Sequence, residues 1–312
     1  MSGAEGEILS VVVPVYFNEH SLPLLFDALL EVEAGLGERG LGLELIFVDD
    51  GSRDGSLAVL RELKRRRPAT KVVKLTRNFG AVHASKTGFR FVTGDCFMIL
   101  AADLQDPPAL ILQMADLWKQ GAKFVVCVRE DREDSAVSVL FSRLYYRLIR
   151  LLVARDYPPD GYDVALMARA FLPYMLDSGK NINSALFAYW LGFEPARIRY
   201  TRRKRRHGKS RWTFLKRVKF FLDSILGFSI VPIRLMSLFG ALVSLASFGY
   251  GAVIAINALR GLGSVPGFPT LVVIISFLLG VVIMMLGTIG EYIWRIFDEV
   301  SRKPEAVIDE IL

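Results

Sequence analysis

The chain has 312 residues, a net charge of +7 and 52% hydrophobic residues, with a mean hydropathy of +0.36. A soluble domain of that length needs less apolar surface, so part of the excess is expected to face lipid. The first apolar run, residues 8–15, is short and follows two acidic residues, which is typical of a strand and not of a signal peptide. The densest basic run, residues 202–211, lies shortly before the first long apolar segment, so we expect anionic lipid or phosphorylated substrates and no nucleic acid.

Short apolar runs alternate with helical patterns from Ser10 to about Arg129. The runs are rich in Val and Ile, and the helical patterns begin near Ser21, Ser56, Gly80 and Pro107. The runs are LSVVVPV, LELIFVDD, KVVKLT, CFMILAAD and KFVVCVR. This alternation predicts an α/β, Rossmann-like domain with a mainly parallel sheet and helices on both faces.

Polar residues follow several of these runs. In a parallel sheet the ligand lies at the carboxyl ends of the strands. Asp49 and Asp50, Arg77, and Asp103 occupy such positions. We therefore expect these four side chains to converge on one crevice.

Two later segments are basic and amphipathic. Residues 137–153 carry leucines on one helical stripe and arginines on another, and residues 213–230 repeat the arrangement. Helices of this kind either lie on a membrane or pack on the domain with a solvated basic face. The uncharged segments that follow favour membrane contact.

Leu235 to Leu259 and Gly261 to Gly290 contain no charged residue. A bilayer needs about 20 apolar helical residues, so each stretch predicts one transmembrane helix, at about 235–259 and 270–291, with Pro266 and Pro269 in the turn between them. Basic residues flank the outer ends of this hairpin, which predicts cytoplasmic chain ends. The expected divisions are 1–212, an α/β domain; 213–230, a juxtamembrane helix; 231–294, the hairpin; and 295–312, a cytosolic tail.

The first two strands end in sequences suited to a nucleoside. Pro14 and Gly51 let a ligand approach the backbone, Tyr16 offers a stacking face, and carboxylates accept hydrogen bonds from ribose hydroxyls or a base N–H. By itself an Asp-Asp-Gly sequence is also an ordinary turn. A phosphate-binding P-loop sequence is absent.

The fourth run continues as ADLQDPP. If this segment is extended, Asp103 and Gln105 lie on the same side and share one hard cation with a diphosphate. The alternative is an aspartate that caps a helix opened by Pro107 and Pro108.

Together these motifs resemble a known family. VVVPVYFNE, FVDDGSRDGS, LTRNFG, ADLQDPP, SRLYYRL, GKSRW and GEYIWRI are similar to family 2 glycosyltransferases that act on polyprenyl phosphate, the group containing dolichyl-phosphate mannose synthase and the GtrB-type and ArnC enzymes. The likeness covers residues 9–302. It implies a GT-A fold, a Mg²⁺ or Mn²⁺ cofactor, and inverting transfer of a hexose from a nucleotide-sugar to undecaprenyl phosphate at the cytoplasmic face of the inner membrane. We expect a homo-oligomer, a tetramer being one option.

The resemblance implies a role for particular residues. The nucleotide-sugar residues are Pro14, Tyr16, Glu19, Asp49, Asp50, Arg77 and Asp163. The metal residues are Asp103 and Gln105, and the catalytic residues are Asp103, Arg202 and Arg211. The acceptor phosphate residues are Ser142, Arg143, Arg129, Arg132 and Arg205. Asp163 is also open to a simple turn role.

Two positions depart from the family pattern. Ala101 stands where many members have an aspartate, which leaves the metal to Asp103, Gln105 and the diphosphate. Ser138 replaces a basic residue of several members, which shifts the acceptor phosphate towards Arg143 and towards Arg129 or Arg132.

Because a phosphate monoester is already ionised at neutral pH, its attack on the anomeric carbon needs no general base.

Several alternatives remain at the level of sequence. UDP-glucose is the first donor choice, followed by UDP-galactose, UDP-GlcNAc, a modified UDP-pentose and GDP-mannose. A processive polysaccharide synthase would need more spans and a QxxRW motif, whereas this chain has only Arg211-Trp212 without the Gln. A non-catalytic nucleotide-binding scaffold is suggested by Ala101, and the intact Asp103 and Gln105 argue against it.

Overall fold

The computed structural model describes residues 6–130, 136–180, 182–202, 214–260, 267–301 and 303–312. The strands are β1 Glu7–Val15, β2 Leu41–Asp49, β3 Lys71–Leu75, β4 Cys96–Ile99, β5 Phe124–Arg129, β6 Val164–Ala168, β7 Pro195–Tyr200 and β8 Ile308–Ile311. The helices are α1 Leu22–Gly37, α2 Ser56–Arg66, α3 Ala81–Phe89, α4 Leu110–Lys119, α5 Ala136–Leu152, α6 Leu172–Asp177, α7 Ser184–Trp190, α8 Phe214–Leu226, α9 Val231–Leu259 and α10 Phe268–Val300.

The strands form one sheet in the order β7-β5-β6-β4-β1-β2-β3-β8. β1 is parallel to β2 and β4, and β2 is parallel to β3. β6 runs antiparallel between β4 and β5, and β8 runs antiparallel along β3. The predicted parallel centre is confirmed, whereas β6, β7 and β8 were not predicted. β8 is only four residues long and contains two acids, so it has no apolar run to reveal it.

Alternate residues of β1 face two different helical layers. Val11, Val13 and Val15 join the core cluster that includes α1 and α4. On α1, the buried positions recur with the three- and four-residue spacing of a helical face. Val12 meets α3, where a Cβ on Gly88 would lie 2.3 Å from Val12 Cγ1. Glycine therefore brings α3 close against the centre of the sheet.

The chain divides into two compact units, Met1–Ser224 with Lys303–Leu312, and Ile225–Arg302. After α10 the chain returns to the first unit, where the Thr76 amide donates to Val307 O at 3.0 Å and Leu312 donates to Val72 O at 2.8 Å. The expected tail at 295–312 is thus divided, because α10 continues to Val300 and the last ten residues belong with the sheet. Both ends of the second unit join the same folded unit.

The second unit contains two helices long and apolar enough to cross a membrane. The apolar segments are Val231–Ile254 and Ile274–Val300, and the most apolar 18-residue stretches within them have mean hydropathies of 1.7 and 2.1. Of the residues in these two stretches, 0% and 6% are buried. Thr288 Oγ1 lies 2.9 Å from Met236 Sδ, so the two helices touch. Pro269 lies in the first turn of α10 and not in the connecting turn, since a helix tolerates proline there. Pro266 lies outside the described residues. The predicted fold class is confirmed.

Candidate functional site

Asp49 ends β2 with a buried carboxylate. The Asp50 amide donates to Val15 O at 2.8 Å, which joins the ends of β1 and β2. Asp49 is 0% exposed, and its Oδ1 accepts from the Ser52 amide at 3.3 Å. Oδ2 is buried and has no partner among the described residues. Burial raises the pKa of Asp49 against the opposing hydrogen bonds from Ser52. This oxygen is an acceptor in need of a donor.

Asp50 holds the loop between β3 and α3. Its Oδ2 accepts from Asn78 Nδ2 at 2.9 Å and from the Gly80 amide at 2.9 Å, while Oδ1 accepts from the Phe79 amide at 2.7 Å. Burial raises the pKa of Asp50, and the two loop amides oppose that shift. The expected ligand-binding carboxylate is therefore already engaged in positioning the loop.

Gly51 allows this loop to approach. Its φ is +68°, and a Cβ would lie 2.5 Å from the carbonyl carbon of Arg77, so any other residue would collide with main chain. The exposed guanidinium of Arg77 stacks on the Phe79 ring, 4.1 Å from its centroid. Arg77 thus lies at the same sheet edge as Asp49, as predicted.

The loop after β1 contains a strained residue. Phe17 has a φ of 59°, which is rare for a bulky side chain. Its amide donates to Ser52 Oγ at 3.1 Å, and the Tyr16 ring meets its edge at 4.6 Å. Glu19 Oε2 accepts from the Gly55 amide at 2.7 Å, at the start of α2. Pro14 pairs with Val48 in the sheet. The expected nucleoside residues therefore surround the carboxyl ends of β1 and β2.

The ADLQDPP segment is a turn, so the expectation of an extended chain at Asp103 and Gln105 is wrong. β4 ends at Ile99, Leu104 has a φ of 59°, and the Gln105 amide donates to Asp103 Oδ1 at 3.2 Å. The alternative of an aspartate cap also fails, because α4 begins at Leu110 after Ala109. Phe17 and Leu104 place left-handed backbone at the ends of two neighbouring strands, a form of strain concentrated at functional sites.

Protein groups alone form no cation site in the part of the chain that the structure describes. Among the described residues there is no group of three or more His, Cys, Asp or Glu side chains placed to hold a metal. Asp103 and Gln105 are both half-buried and offer oxygen ligands. Mg²⁺ and Mn²⁺ suit oxygen ligands, and Mg²⁺ commonly binds one or two carboxylates together with substrate phosphates. The two residues fit a cation site that a diphosphate completes.

Next along the chain, Asp106 joins a polar cluster drawn from four segments, here named the Tyr200 cluster. Its members are Asp106, Arg129, Asp163, Tyr200 and Arg202. The Tyr200 hydroxyl lies 2.5 Å from Asp106 Oδ1 and 2.9 Å from Asp163 Oδ2. Arg129 donates from Nε and Nη2 to both oxygens of Asp163, the second at 2.5 Å. Arg202 lies 3.2 Å from Asp106 and 3.6 Å from Asp163.

The two carboxylates of this cluster differ in electrostatics. Asp106 is 4% exposed, and burial raises its pKa despite Arg202 and Tyr200. Burial alone would also raise the pKa of Asp163, but Arg129 reverses this and lowers it. The main chain of Asp163 is exposed, while its side chain is only 18% exposed. Nε of Arg202 is buried 3.2 Å from Asp106 Oδ1 but is not aligned for a hydrogen bond with it.

The Tyr200 cluster unites three predicted residues and two that the sequence analysis missed. Asp163, Arg129 and Arg202 had been given separate roles, whereas Asp106 and Tyr200 had none. The motif ADLQDPP already contained Asp106, but nothing near Tyr200 signalled its partners. Of the remaining predicted residues, Ser142 is half-buried and Arg143 exposed on α5. Outside the described residues lie Arg132, Arg205 and Arg211.

Helix α5 packs by one face against the rest of the first unit and has exposed apolar residues on another face. Ile149 is buried, and the Tyr145 hydroxyl donates to Ser224 Oγ of α8 at 3.0 Å. Leu144 and Leu151 are 52% and 75% exposed. The basic amphipathic helix therefore packs on the domain while presenting leucines outward, and its contact with a membrane stays a prediction.

Comparisons with known proteins bear on the family. The model of Glycosyl transferase family 2 matches residues 10–171. A glycosyltransferase of Synechocystis sp., itself uncharacterised, is 33% identical over 97% of this chain and 95% of its own. The bactoprenol glucosyl transferase derived from the SfII prophage of Shigella flexneri is 30% identical over 96% of this chain and 97% of its own. The solved mannosyltransferase PcManGT of Pyrobaculum calidifontis is 16% identical over 91% and 88% of the two chains, with a TM-score of 0.46, too remote to bear on function.

Proposed function

Because this chain belongs to glycosyl transferase family 2, and is therefore a glycosyltransferase, we propose that it transfers a hexose from a nucleotide-sugar to polyprenyl phosphate. The donor is UDP-glucose, the acceptor is undecaprenyl phosphate, and transfer inverts the anomeric carbon at the cytoplasmic face of the inner membrane. The name of the Shigella flexneri relative supports both glucose and a bactoprenol acceptor.

One structural observation carries the choice of a lipid acceptor. The unit with the carboxylate-lined sheet edge also receives the chain from both ends of the two apolar helices. Those helices expose their apolar windows almost completely, unlike core helices of a soluble protein. A membrane span of this kind keeps the enzyme on the surface where a polyprenyl phosphate resides.

The donor side of the sheet edge supports recognition of a nucleoside. Asp49 Oδ2 is buried without a partner and would accept a hydrogen bond from a base N–H or a ribose hydroxyl. Tyr16 provides a flat ring in the strained loop after β1, the strand that pairs with β2. Asp50, the next residue, holds the loop at 78–80 in place through three hydrogen bonds.

Asp103 and Gln105 would hold the divalent cation, which when bound neutralises charge on the departing diphosphate. The phosphate acceptor is already an anion, so the protein has to hold two anions together and in line. Arg202, whose side chain is 25% exposed beside Asp106, and Arg143 supply positive charge for this. Arg129 is less free, since two of its N–H groups are bound to Asp163.

Identification of the lipid product tests the proposal. Purified protein in detergent is incubated with short-chain polyprenyl phosphate, Mg²⁺ and each of UDP-glucose, UDP-galactose, UDP-GlcNAc, a UDP-pentose and GDP-mannose, and the lipid is weighed by mass spectrometry. We expect one hexose added from UDP-glucose, with the anomeric inversion read by NMR. Repeated addition would indicate a processive synthase, and no product from any donor would indicate a non-catalytic scaffold.

The membrane arrangement has its own test. Both ends of the apolar unit return to one folded unit, so an even number of crossings is expected. Replacing Ser264 by cysteine places a label between the spans, and the natural Cys96 and Cys127 are buried and unreactive. An impermeant maleimide should label intact spheroplasts from outside. Labelling only after permeabilisation would contradict the expected topology, in which both chain ends are cytoplasmic.

A further inference from the structure

Lys86 of α3 is a buried cation with two partners from distant parts of the chain. Its side chain is 5% exposed, and Nζ donates to Glu305 Oε1 at 2.7 Å and to Ser178 O at 2.5 Å. Glu305 is 17% exposed. A buried ion pair sets position strongly, because removing either partner leaves an uncompensated charge. Glu305 belongs to the segment that follows α10.

Helix α3 connects this ion pair to the aspartates at the end of β2. Two turns before Lys86, the amides of Phe79 and Gly80 donate to the carboxylate of Asp50. Residues 84–89 of α3 are all buried, and Gly88 lies against Val12 of β1. With one side against the sheet, α3 is held further by the Asp50 hydrogen bonds just before its first residue and by Glu305, which lies 2.7 Å from Lys86 and 3.8 Å from His83.

The segment containing Glu305 is itself anchored. The strand β8 pairs with β3, and its acids Asp309 and Glu310, with side chains 45% and 38% exposed, form ion pairs with Lys74 and Arg61 at 2.5 and 2.8 Å. These outer pairs are on the same segment as Glu305 but do not involve α3. They therefore provide a matched control for the loss of one carboxylate.

We propose that Glu305 is a positioning residue for donor binding, which acts through Lys86 to hold α3 and the Asp50-bound loop in place. The segment that follows the second apolar helix therefore contributes a positioning residue to the donor half of the site. This role rests on the proposed nucleotide-sugar function and adds a residue to it.

The test compares full-length Glu305→Gln, Lys86→Met, the double variant and the control Glu310→Gln. The affinity for UDP with Mg²⁺ is measured by calorimetry, and amide hydrogen exchange is followed at Phe79 and Gly80. We expect Glu305→Gln to weaken UDP binding about tenfold, to raise the donor KM with little change in the acceptor KM, and to speed exchange at both amides. Glu310→Gln should change none of these, and Glu305→Gln should add nothing once Lys86 is Met.

Several outcomes would overturn this role. Unchanged UDP affinity and exchange in Glu305→Gln would reduce the ion pair to a stabilising contact, and additive effects of Glu305→Gln and Lys86→Met would show that Glu305 does not act through Lys86. If Glu305→Gln does not fold, Glu305→Asp retains the charge one methylene shorter and must show the same weaker binding. A wild-type protein that binds neither UDP nor GDP would instead overturn the proposed function, and this role with it.

Discussion

The carboxylates on the two sides of the sheet edge differ in their charged partners. At the ends of β1 and β2, Asp49 and Asp50 are buried, and neither forms an ion pair within the described part of the chain. In the Tyr200 cluster, Asp106 and Asp163 lie beside two arginines. The first side therefore has carboxylates without a cationic partner, whereas the Tyr200 cluster has two arginines for its two aspartates.

This contrast shows how one edge can take two ligands of different character. An unpaired carboxylate oxygen selects neutral N–H or O–H donors, which a nucleoside has and a phosphate lacks. Arginines next to carboxylates retain additional donors for an anion. In the sequence, Asp103 lies between the residues of these two sides, and its negative charge contributes to the raised pKa of Asp106. The predictions that follow separate the two sides.

The largest effect is expected at Asp103, the proposed cation ligand. Replacing Asp103 by Asn removes the charged cation ligand, and transfer should fall about 100-fold or more because the diphosphate charge is then uncompensated. Steady-state turnover with Mg²⁺ or Mn²⁺ measures this, and excess EDTA should have the same effect on the wild type. Asp116→Asn, which breaks an exposed pair with Arg39, is the control. Full turnover in EDTA would contradict the prediction.

In the Tyr200 cluster, Asp163→Asn should reduce the free energy of unfolding by about 3–5 kcal/mol, since Arg129 loses its carboxylate partner. Burial raises the pKa of Asp163 but Arg129 lowers it overall. A lowered folded-state pKa adds stability above the unfolded value of about 3.9 that is lost as pH falls through the folded value. Urea unfolding at several pH values should show that loss in the wild type and less of it in Asp163→Asn. Equal pH dependence in both would contradict the assignment.

Tyr200→Phe removes one hydroxyl from the same cluster and keeps the ring. Asp106 and Asp163 lose their common partner, so stability should fall by about 1–3 kcal/mol and kcat by about tenfold as the carboxylates shift. UDP affinity, measured by calorimetry, should not change, because the donor side is separate. A change in UDP affinity without a change in kcat would mean that the cluster belongs to donor binding.

The smallest effect on folding, and of opposite sign, is expected at Asp49. Burial raises the pKa of Asp49, so its ionised form costs stability at neutral pH, and Asp49→Asn should increase the free energy of unfolding by about 1 kcal/mol. UDP affinity should nevertheless fall about tenfold, because the unpaired oxygen accepts from the nucleoside. Parallel losses of stability and affinity would show that Asp49 is structural and not a ligand.

Periodicity in the sequence was enough for strands β1 to β5, for helices α1 to α5 and α8, and for the apolar pair, because each carries its own hydrophobic pattern. It did not reveal β7 and β8, whose charged residues make them resemble loops, nor the short β6, α6 and α7. At the site, the pattern of strand ends identified Asp49 correctly as the last residue of β2. The extended geometry assumed for Asp103 was wrong, since a left-handed Leu104 leaves no trace in residue type.

By itself, then, the sequence determined the family resemblance, the parallel centre of the sheet and the two apolar helices, all of which depend on residues close together in the chain. Only the tertiary structure decided that Asp50 holds a loop, that Tyr200 joins Asp106 to Asp163, and that Glu305 reaches Lys86 across 219 positions. The physical reason is the range of the interactions. Hydrophobic periodicity depends only on residues that are near one another in the sequence. The partner of a buried charge depends instead on which distant segments the folded chain brings within hydrogen-bond distance.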